Sequence, residues 1–596
     1  MAHPGLSSRA PLVDEDDSDS QPLLTRYLYP RPHPHPISNP NPTFTLQPDR
    51  SYTYTYGPPS LFANNYVFLC ALFASIGGLT FGYDQGVIAN VLVMKDFVGR
   101  WGKGEEGIGP WEVGVLTAAL ELGCLIGALL SGYLADKYSR RRAIFLACVV
   151  FLVGSTLQTF AMSLNQLTLG RAIGGLGVGG LSTLSPLYMT EISPPETRGS
   201  LLSLEQFSIV LGCVVGFWVG FGTRNIPGAL SWRLPLSLQL LPGILLAIGC
   251  FWLPPSPRWL VGQGRIRDAE KSLGRLRLVG ERRAEGLVDG LVKLELLEMQ
   301  VEATLLHRTS HSPSESYQQL VSNEGDVDSG KPSNHGVKAE WRAWKRLLEW
   351  KYRDRTWVGV LMMFFQQWSG INAFLYYGPT LISSLGLPSS DATLIVSGGI
   401  GIVQFFAVFP AIAMIDRLGR KPLLRTGSVM MSLSHLVIAL VVYQFSNDWS
   451  SHQSAAWIAV AFVYIFTASY GVSYGPIAWC LITEVFPLSM RSKGVSLSTA
   501  SNWTNNFLIG LVTPALMQTS PAGTFLTFSV ACFVGYIWST YVVPETANVS
   551  LEEIDKLFRS SAGREDQEIK FQIEEELGLH ELVRELEGMD APSTPA

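Results

Sequence analysis

Residues 111–133 read WEVGVLTAALELGCLIGALLSGY, and residues 136–142 shortly after them read DKYSRRR. The first stretch is apolar over a length that can cross a bilayer as a helix, since such a span needs about 20 residues. The second stretch is a short basic loop. An apolar run that ends in a basic loop is typical of a transmembrane helix whose loop stays in the cytoplasm.

The same pattern continues along the chain. Of its 596 residues, 47% are hydrophobic and 16% are charged, which favours a membrane protein over a soluble enzyme. The sequence therefore predicts an all-α membrane protein with about twelve transmembrane helices. The apolar stretches of spanning length are at roughly 66–90, 111–133, 143–163, 167–190, 203–222, 235–253, 357–378, 392–415, 426–445, 455–483, 494–517 and 522–543.

Two pairs of loop motifs occur in the same order in the two parts of the chain. Residues 136–141 (DKYSRR) correspond to residues 416–421 (DRLGRK), and residues 191–198 correspond to residues 484–491, each of which runs from Glu to Arg. This repetition predicts two pseudo-symmetric halves of six helices each. Two such halves are typical of transporters that rock one half against the other around a site at the midplane.

The charge distribution places the segments between and around these halves. Basic residues concentrate in alternate loops, although the loops near 91–110 and 223–234 on the opposite side also carry some. By the positive-inside rule the basic loops and both termini are cytoplasmic. Acidic residues alternate with apolar ones at 565–587, which fits either a surface helix or a solvated acidic tail. The expected organisation is a disordered N-terminal tail (1–60), a six-helix half (61–253), a cytoplasmic linker with short helices and a disordered insert (254–354), a second six-helix half (355–545) and a cytoplasmic C-terminal tail (546–596).

Six short motifs follow one another in an order that resembles the sugar porter family of the major facilitator superfamily, especially its fungal-type sugar and polyol transporters. They are residues 82–88 (GYDQGVI), 186–194 (PLYMTEISP), 257–260 (PRWL), 366–372 (QQWSGIN), 475–479 (GPIAW) and 544–553 (PETANVSLEE). The resemblance implies transport of a monosaccharide or related polyol by alternating access, without chemical change to the solute. It implies either proton-coupled symport or facilitated diffusion. A nutrient sensor with the same fold is a further alternative.

Polar side chains inside apolar spans mark a candidate solute site. Sugar hydroxyls both give and take hydrogen bonds, so amides and aromatic faces suit them. Gln366, Gln367 and Asn372 face a common cavity if the helix breaks near Gly370, although such amides can also merely bridge helices. Gln404 stands where the family usually has Asn, which leaves the preferred sugar open. By the resemblance, the substrate-binding residues are Phe81, Gln206, Gln366, Gln367, Asn372, Gln404, Trp479, Trp503 and Asn506.

Ionisable residues inside predicted spans include Asp84, Arg171 and Glu121, and a charge there is costly and therefore indicates function. The resemblance implies that Asp84 takes up the proton in symporters and that Arg171 pairs with it. A permanent structural ion pair in a facilitator is the alternative. Glu121 is either a second proton site or a group that forms hydrogen bonds between helices.

Charged residues also recur at the cytoplasmic ends of the predicted helices. The resemblance implies that they form a lock between the halves, which we call the cytoplasmic gate. Its members are Asp136, Arg140, Glu191, Arg198, Asp416, Arg420, Glu484 and Arg491. Ser139 replaces the glycine that is usual in its motif, whereas Gly419 keeps it, so we expect the first of these two turns to be less tight.

Other functions find little support in the sequence. The seven cysteines all lie in predicted spans without a CxxC pair, so we expect neither a disulfide nor a metal site. No nucleophile, base and orienting group form one constellation, so we expect no enzyme and no cofactor. The expected partners are a sugar or polyol, the lipid bilayer and, in a symporter, protons, but no nucleic acid, with a monomer as the working unit. Residues 19–24 (DSQPLL) match an acidic dileucine signal, which leaves a vacuolar membrane as the alternative to the plasma membrane.

Overall fold

A computed structural model describes most of the chain and is almost entirely helical. The only strands among the described residues are β1 (Thr43–Leu46) and β2 (Tyr52–Thr55), which pair antiparallel. The described residues are 43–46, 52–55, 64–102, 108–194, 198–277, 286–310, 344–387, 389–487, 489–546, 558 and 562–590.

The N-terminal half contains six membrane-spanning elements. Its helices are α1 (Asn65–Val91), the short α2 (Lys95–Trp101), α3 (Pro110–Tyr138), α4 (Arg140–Thr159), α5 (Leu164–Ile192), α6 (Arg198–Thr223), α7 (Leu230–Leu238) and α8 (Leu240–Gly249). The last two together make the sixth span. Side-chain caps help to fix where helices begin. Asn64 accepts a hydrogen bond from the amide of Val67 at 3.1 Å, and Ser163 accepts one from the amide of Gln166 at 3.2 Å.

The linker and the C-terminal half follow. The linker helices are α9 (Pro257–Gly262), α10 (Ile266–Arg277) and α11 (Gly286–Ser310). The helices of the second half are α12 (Trp350–Trp368), α13 (Ile371–Ser383), α14 (Ser390–Leu418), α15 (Arg420–Phe445), α16 (Gln453–Val472), α17 (Tyr474–Glu484), α18 (Arg491–Thr519) and α19 (Pro521–Tyr541). Spans seven and ten are each split into two helices, α12 with α13 and α16 with α17, so this half also crosses the membrane six times.

The two halves pack their helices in corresponding pairs. In the first half α1 packs on α6, α3 on α5 and α4 on α8. In the second half the equivalent pairs are α12 with α18, α14 with α16 and α15 with α19. The halves meet where α3 contacts α18, α6 contacts α14 and α1 contacts α13. The predicted fold, two pseudo-symmetric six-helix halves, is confirmed.

Within the described ranges, nine helical segments are long and apolar enough to cross a membrane by themselves. The remaining spanning elements are α5, the α12–α13 pair and α18, whose glycine or polar content lowers their hydropathy. These more polar elements carry Arg171, the Gln366–Gln367 pair and Asn506. Large apolar side chains such as Leu130 and Phe406 are exposed on the outside of the bundle, where lipid would cover them.

Glycines bring the third and fourth spans, α4 and α5, close together. A Cβ on Gly154 of α4 would lie 2.1 Å from the backbone nitrogen of Gly174, and one on Gly177 would lie 2.5 Å from that of Phe151. Such distances leave no room for a side chain, so α4 and α5 approach backbone to backbone.

The expectation that the turn at Ser139 is less tight than the turn at Gly419 is wrong. Both residues have φ of 89°, with similar ψ values of 144° and 163°. Ser139 is the only residue other than glycine with positive φ among the described residues. The first half therefore keeps the tight turn and places a serine in a conformation that favours glycine.

The C-terminal tail is helical, which agrees with the surface-helix interpretation of residues 565–587. Two helices, α20 (Ala562–Glu576) and α21 (Leu579–Asp590), pack on linker helix α11, and α21 also packs on β1. Phe44 of β1 is buried with Leu294 of α11, Ile573 of α20 and Leu586 of α21. The N-terminal hairpin, the linker and the tail thus share one small hydrophobic core outside the membrane bundle.

Candidate functional site

A break in span seven positions the first group of predicted site residues. Gly370 separates α12 from α13 and has φ of +94°, which L-residues rarely adopt. A Cβ at this position would also lie 2.9 Å from the ring of Phe528. The break places Gln366 and Gln367 before the turn and Asn372 after it, as expected from the sequence.

The break brings three predicted amides together. Asn372 donates from Nδ2 to Oδ1 of Asn506 at 2.9 Å and also to Oε1 of Gln367 at 2.5 Å. Gln366 points elsewhere, and its Oε1 accepts a hydrogen bond from Asn502 of α18 at 2.6 Å. Spans seven and eleven therefore form a continuous set of amides inside the second half.

This set extends across the interface to the first half. Tyr376 of α13 donates from its hydroxyl to Oε1 of Glu121 at 2.6 Å and accepts from Nε2 of Gln85 at 2.8 Å. Asn506 donates from Nδ2 to Oε2 of Glu121 at 2.8 Å. Of the two interpretations of Glu121, hydrogen bonding between helices is observed. We call the connected residues the polar network, which comprises Gln85, Glu121, Gln367, Asn372, Tyr376 and Asn506.

The predicted aromatic residues are divided between two environments. Phe81 of α1 and Trp503 of α18 meet edge to face across the two halves, with their ring centroids 5.2 Å apart. Nε1 of Trp503 and Oε1 of Gln404 are buried without a hydrogen-bond partner among the described residues. Such orphaned polar atoms are suited to a solute that supplies hydroxyl groups. Gln206 is half-buried, and Trp479 is 37% exposed.

The predicted ion pair forms inside the first half. Arg171 donates from Nη1 to Oδ1 of Asp84 at 3.0 Å and from Nε to the carbonyl oxygen of Leu116 at 2.9 Å. Both charged side chains are fully buried. Oδ2 of Asp84 and Nη2 of Arg171 have no partner among the described residues. The pair is therefore close to neutral as a unit but leaves hydrogen-bonding capacity unused.

The cytoplasmic gate residues of the first half cluster around Glu191. Arg140 donates from Nε to Glu191 at 3.0 Å and from Nη1 to Asp136 at 3.0 Å. Ser256, at the start of the linker, donates its hydroxyl to the other oxygen of Glu191. Glu191 thereby joins the end of α5 to the start of α4 and to the linker.

The second half repeats this arrangement around Glu484. Arg420 donates from Nη2 to Glu484 at 2.9 Å, and Thr546 donates its hydroxyl to the other carboxylate oxygen at 2.6 Å. Glu545 accepts from the backbone amides of Arg420 and Lys421 at 3.0 Å each, which caps the start of α15. Thr546 of the Pro-Glu-Thr motif therefore binds Glu484 in this half as Ser256 binds Glu191 in the first.

The gate ion pairs that the structure describes lie within each half. Arg140 with Glu191 and Arg420 with Glu484 each stay inside one bundle. The side chains of Arg198 and Asp416 lie outside the described set, and Nε of Arg491 is buried without a partner within it. The expected lock between the halves therefore stays a prediction.

Sequence reasoning missed several polar residues of the bundle. Gln85 and Tyr376 lie in or beside motifs that the sequence singled out, and Asn502 directly precedes Trp503, but none of the three was assigned to the site. Glu205, inside span 203–222, is a further buried acidic residue that sequence reasoning passed over, and it has no hydrogen bond to the polar network. It is 5% exposed, and both of its carboxylate oxygens lack a partner among the described residues.

The fold is that of a membrane transporter built from two pseudo-symmetric halves. The family model described as "Sugar (and other) transporter" matches residues 70–558. The chain belongs to this family, within the major facilitator superfamily. The resemblance inferred from the motifs is thus confirmed, as is the prediction of a sugar transporter and not an enzyme.

The chain is also similar to individual sugar transporters and to a glucose sensor. The chain is 30% identical to the low-affinity glucose transporter HXT3 of Saccharomyces cerevisiae, covering 83% of this chain and 82% of that protein. It is 31% identical to the high glucose sensor RGT2 of the same yeast, covering 85% of this chain and 62% of the sensor. Among solved structures, the proton:xylose symporter XylE of E. coli, bound to 6-bromo-6-deoxy-D-glucose, matches with a TM-score of 0.64 and 25% identity, over 83% of this chain and 99% of that one.

Proposed function

We propose that this protein carries a neutral monosaccharide or related polyol across a membrane by alternating access, in symport with a proton. The observation that carries the proposal is the fully buried pair of Asp84 and Arg171. Burying two charges costs several kcal/mol per ion in desolvation unless they pair well, so the pair depends on Asp84 being ionised. Protonation of Asp84 removes this attraction and frees Arg171, which gives proton binding a structural effect.

The position of the ion pair supports a link to the solute. Arg171 also holds the carbonyl of Leu116 on α3, the helix that carries Glu121 one and a half turns further on. Glu121 in turn accepts hydrogen bonds from the second half. A change at Asp84 can therefore reach the contacts between the halves through one rigid helix.

The amides of the polar network support a sugar or polyol as the solute. Gln367, Asn372 and Asn506 are neutral, buried, and able to exchange their mutual hydrogen bonds for bonds to hydroxyl groups. The orphaned atoms of Gln404 and Trp503 add an acceptor and a donor. Two of the similar proteins are named as a glucose transporter and a xylose symporter, which favours a hexose or pentose over a larger solute.

Uptake into transport-deficient cells that express the protein tests this function. Radiolabelled sugars and polyols are supplied at acidic and at neutral external pH, with and without a protonophore. We expect accumulation above equilibrium that rises as the external medium is acidified and disappears with the protonophore and in Asp84→Asn. Uptake that only equilibrates, and that responds to neither treatment, would instead identify a facilitator.

A nutrient sensor is the second candidate, favoured by the 31% identity to the glucose sensor RGT2. The packing of both tails against the linker gives such a protein a route for a signal, since β1, α11, α20 and α21 share one core. Sugar binding by the purified protein, without uptake despite its presence at the cell surface, would support this candidate over transport.

The proposed location is the plasma membrane, with the protein acting as a monomer. The dileucine pattern at residues 19–24, which lies outside the described residues, makes a vacuolar membrane the alternative. Imaging of a fluorescent fusion, compared with a variant in which Leu23 and Leu24 are both alanine, distinguishes the two. A plasma-membrane signal that is the same for both proteins supports the proposal, whereas a vacuolar signal lost in the variant contradicts it.

A further inference from the structure

Glu121 occupies a special place in the polar network because it is the only member that cannot donate when ionised. Its side chain is fully buried, and both oxygens accept from the opposite half, Oε1 from Tyr376 at 2.6 Å and Oε2 from Asn506 at 2.8 Å. A carboxylate only accepts hydrogen bonds, whereas an amide can present either its oxygen or its nitrogen. The carboxylate therefore determines which end of Asn506 faces it.

The orientation of Asn506 determines that of its neighbours. With Nδ2 directed at Glu121, Oδ1 of Asn506 faces Asn372 and accepts from its Nδ2 at 2.9 Å. The same Nδ2 of Asn372 donates to Oε1 of Gln367 at 2.5 Å. Nε2 of Gln367 is then left without a hydrogen-bond partner among the described residues. A solute oxygen is the natural acceptor for it.

Charged groups from the first half face Glu121 as well. Arg171 of α5 attracts its negative charge, and Asp84 of α1 repels it. On the second half, Tyr376 is the hydroxyl donor, with Gln85 of α1 donating to the oxygen of that hydroxyl. The hydrogen-bond chain that begins at Glu121 thus runs from the vicinity of the ion pair to the amides of span seven.

We propose that Glu121 is a positioning residue that sets the donor and acceptor polarity of the sugar site, by fixing Asn506, then Asn372, then Gln367 in one orientation. This inference rests on the proposed function, since it specifies how that site recognises its solute. The site then presents an amide donor of Gln367 to an oxygen of the sugar and has a definite preference among hydroxyl configurations. Glu121 acts through the amides and makes no contact with the solute.

Glu121→Gln is the decisive variant because it keeps size and shape but replaces one acceptor oxygen with a donor. The new amide directs a donor at Asn506 or at Tyr376, so Asn506 can turn over and Asn372 loses its fixed orientation. We expect KM for the preferred sugar to rise about tenfold, the loss typical of one well-placed hydrogen bond, with Vmax within about twofold. The preference between that sugar and its epimers should shrink by a similar factor.

A double variant separates orientation from a general structural effect. In Glu121→Gln combined with Asn506→Asp, the amide at position 121 donates to a carboxylate at position 506, which again accepts from Asn372. We expect this pair to bring KM back to within about threefold of the unmodified protein. Glu205→Gln is the matched control, since Glu205 is also buried in a span but has no partner among the described residues, and its KM should stay within about twofold.

KM and Vmax are measured by initial uptake of glucose and its epimers, with surface expression checked for each variant. An unchanged KM in Glu121→Gln, or a loss that the double variant does not reverse, overturns the proposal. If the single variant does not reach the surface, the double variant decides alone, and a KM raised tenfold or more in it contradicts the inference. Absence of sugar uptake by the unmodified protein would instead refute the proposed function.

Discussion

Arg171 donates to Asp84 across 3.0 Å in an environment where neither side chain is exposed to solvent. Nothing else that the structure describes accepts from Nη1 of Arg171 or donates to Asp84. Each charge therefore depends on the other, and both residues belong to the first half. Removing one partner should therefore lower the free energy of unfolding much more than removing both.

Arg171→Ala should destabilise the protein strongly, because it leaves the Asp84 carboxylate buried and unpaired. We expect the free energy of unfolding to fall by about 3 kcal/mol, the lower end of the range for a broken buried ion pair. Thermal unfolding of the purified protein in detergent measures this loss. Combining Arg171→Ala with Asp84→Asn should recover at least half of the loss, and a double variant no more stable than Arg171→Ala would contradict the explanation.

Gly370→Ala should disrupt the break between α12 and α13. The residue has φ of +94°, and its Cβ would lie 2.9 Å from the ring of Phe528. We expect a loss of about 2 kcal/mol in stability and at least a tenfold loss in sugar uptake, since Gln367 and Asn372 lie on either side of this residue. Gly378→Ala is the control, because a Cβ there would meet Ser397 at an ordinary 3.5 Å. Equal losses of stability and uptake for the two substitutions would show that the helix break does not require glycine at position 370.

Ser139→Gly should stabilise the protein. Ser139 has φ of 89° and ψ of 144°, a conformation that costs a residue with a side chain about 1–3 kcal/mol and costs glycine little. We expect a gain of about 1 kcal/mol, visible as a higher melting temperature with unchanged transport. The reverse change in the second half, Gly419→Ser, should lower stability, since its Cβ would also lie 2.7 Å from the carboxylate of Glu545. A gain from Gly419→Ser would overturn this account of the turns.

Arg277→Ala should detach the linker from the first half. Arg277 pairs with Glu295 through bonds of 2.7 and 2.9 Å and donates to the carbonyl of Ile192 at the end of α5 at 2.8 Å. Both charged side chains are buried, so we expect a loss of about 3 kcal/mol in local stability. Hydrogen–deuterium exchange should speed up in α10 and α11.

The exposed pair of Arg265 and Asp268 provides the control for this measurement. Arg265→Ala removes a solvent-exposed ion pair at the start of α10, and such pairs contribute only about 0–1 kcal/mol. Its exchange pattern should match that of the unmodified protein. If both variants exchange alike, the Arg277 contacts do not hold the linker in place.

The fold was largely predictable because its signals are local. Span length, apolar content and loop charge are read over a few tens of residues, and predicted spans such as 111–133 and 494–517 fall within α3 and α18. The repeated motifs at residues 136–141 and 416–421 likewise revealed the two halves. Whether the C-terminal tail is helical could not be decided from the sequence. Its helices are stabilised by a core shared with β1 and α11, which are distant from the tail in the sequence.

The presence of polar residues inside the spans was predictable from the sequence, but their hydrogen-bond partners were not. Gln366 and Gln367 are adjacent and equally amide-bearing, yet Gln366 bonds to Asn502 and Gln367 to Asn372. The gate shows the same limit, because Glu191 and Glu484 each pair with an arginine of their own half. Motif spacing identifies which residues are polar at a helix end, but not which of them face each other.

The sequence by itself determined that this protein is a twelve-helix transporter of two related halves, with amides and charged residues inside apolar spans. Only the tertiary structure decided that Glu121 and Asn506, 385 positions apart, share a hydrogen bond between the halves. The reason is that the two kinds of interaction differ in how exactly they depend on atomic positions. Apolar burial sums over a whole helix and tolerates error, whereas a hydrogen bond needs its atoms about 3 Å apart and so depends on how each helix is rotated and packed.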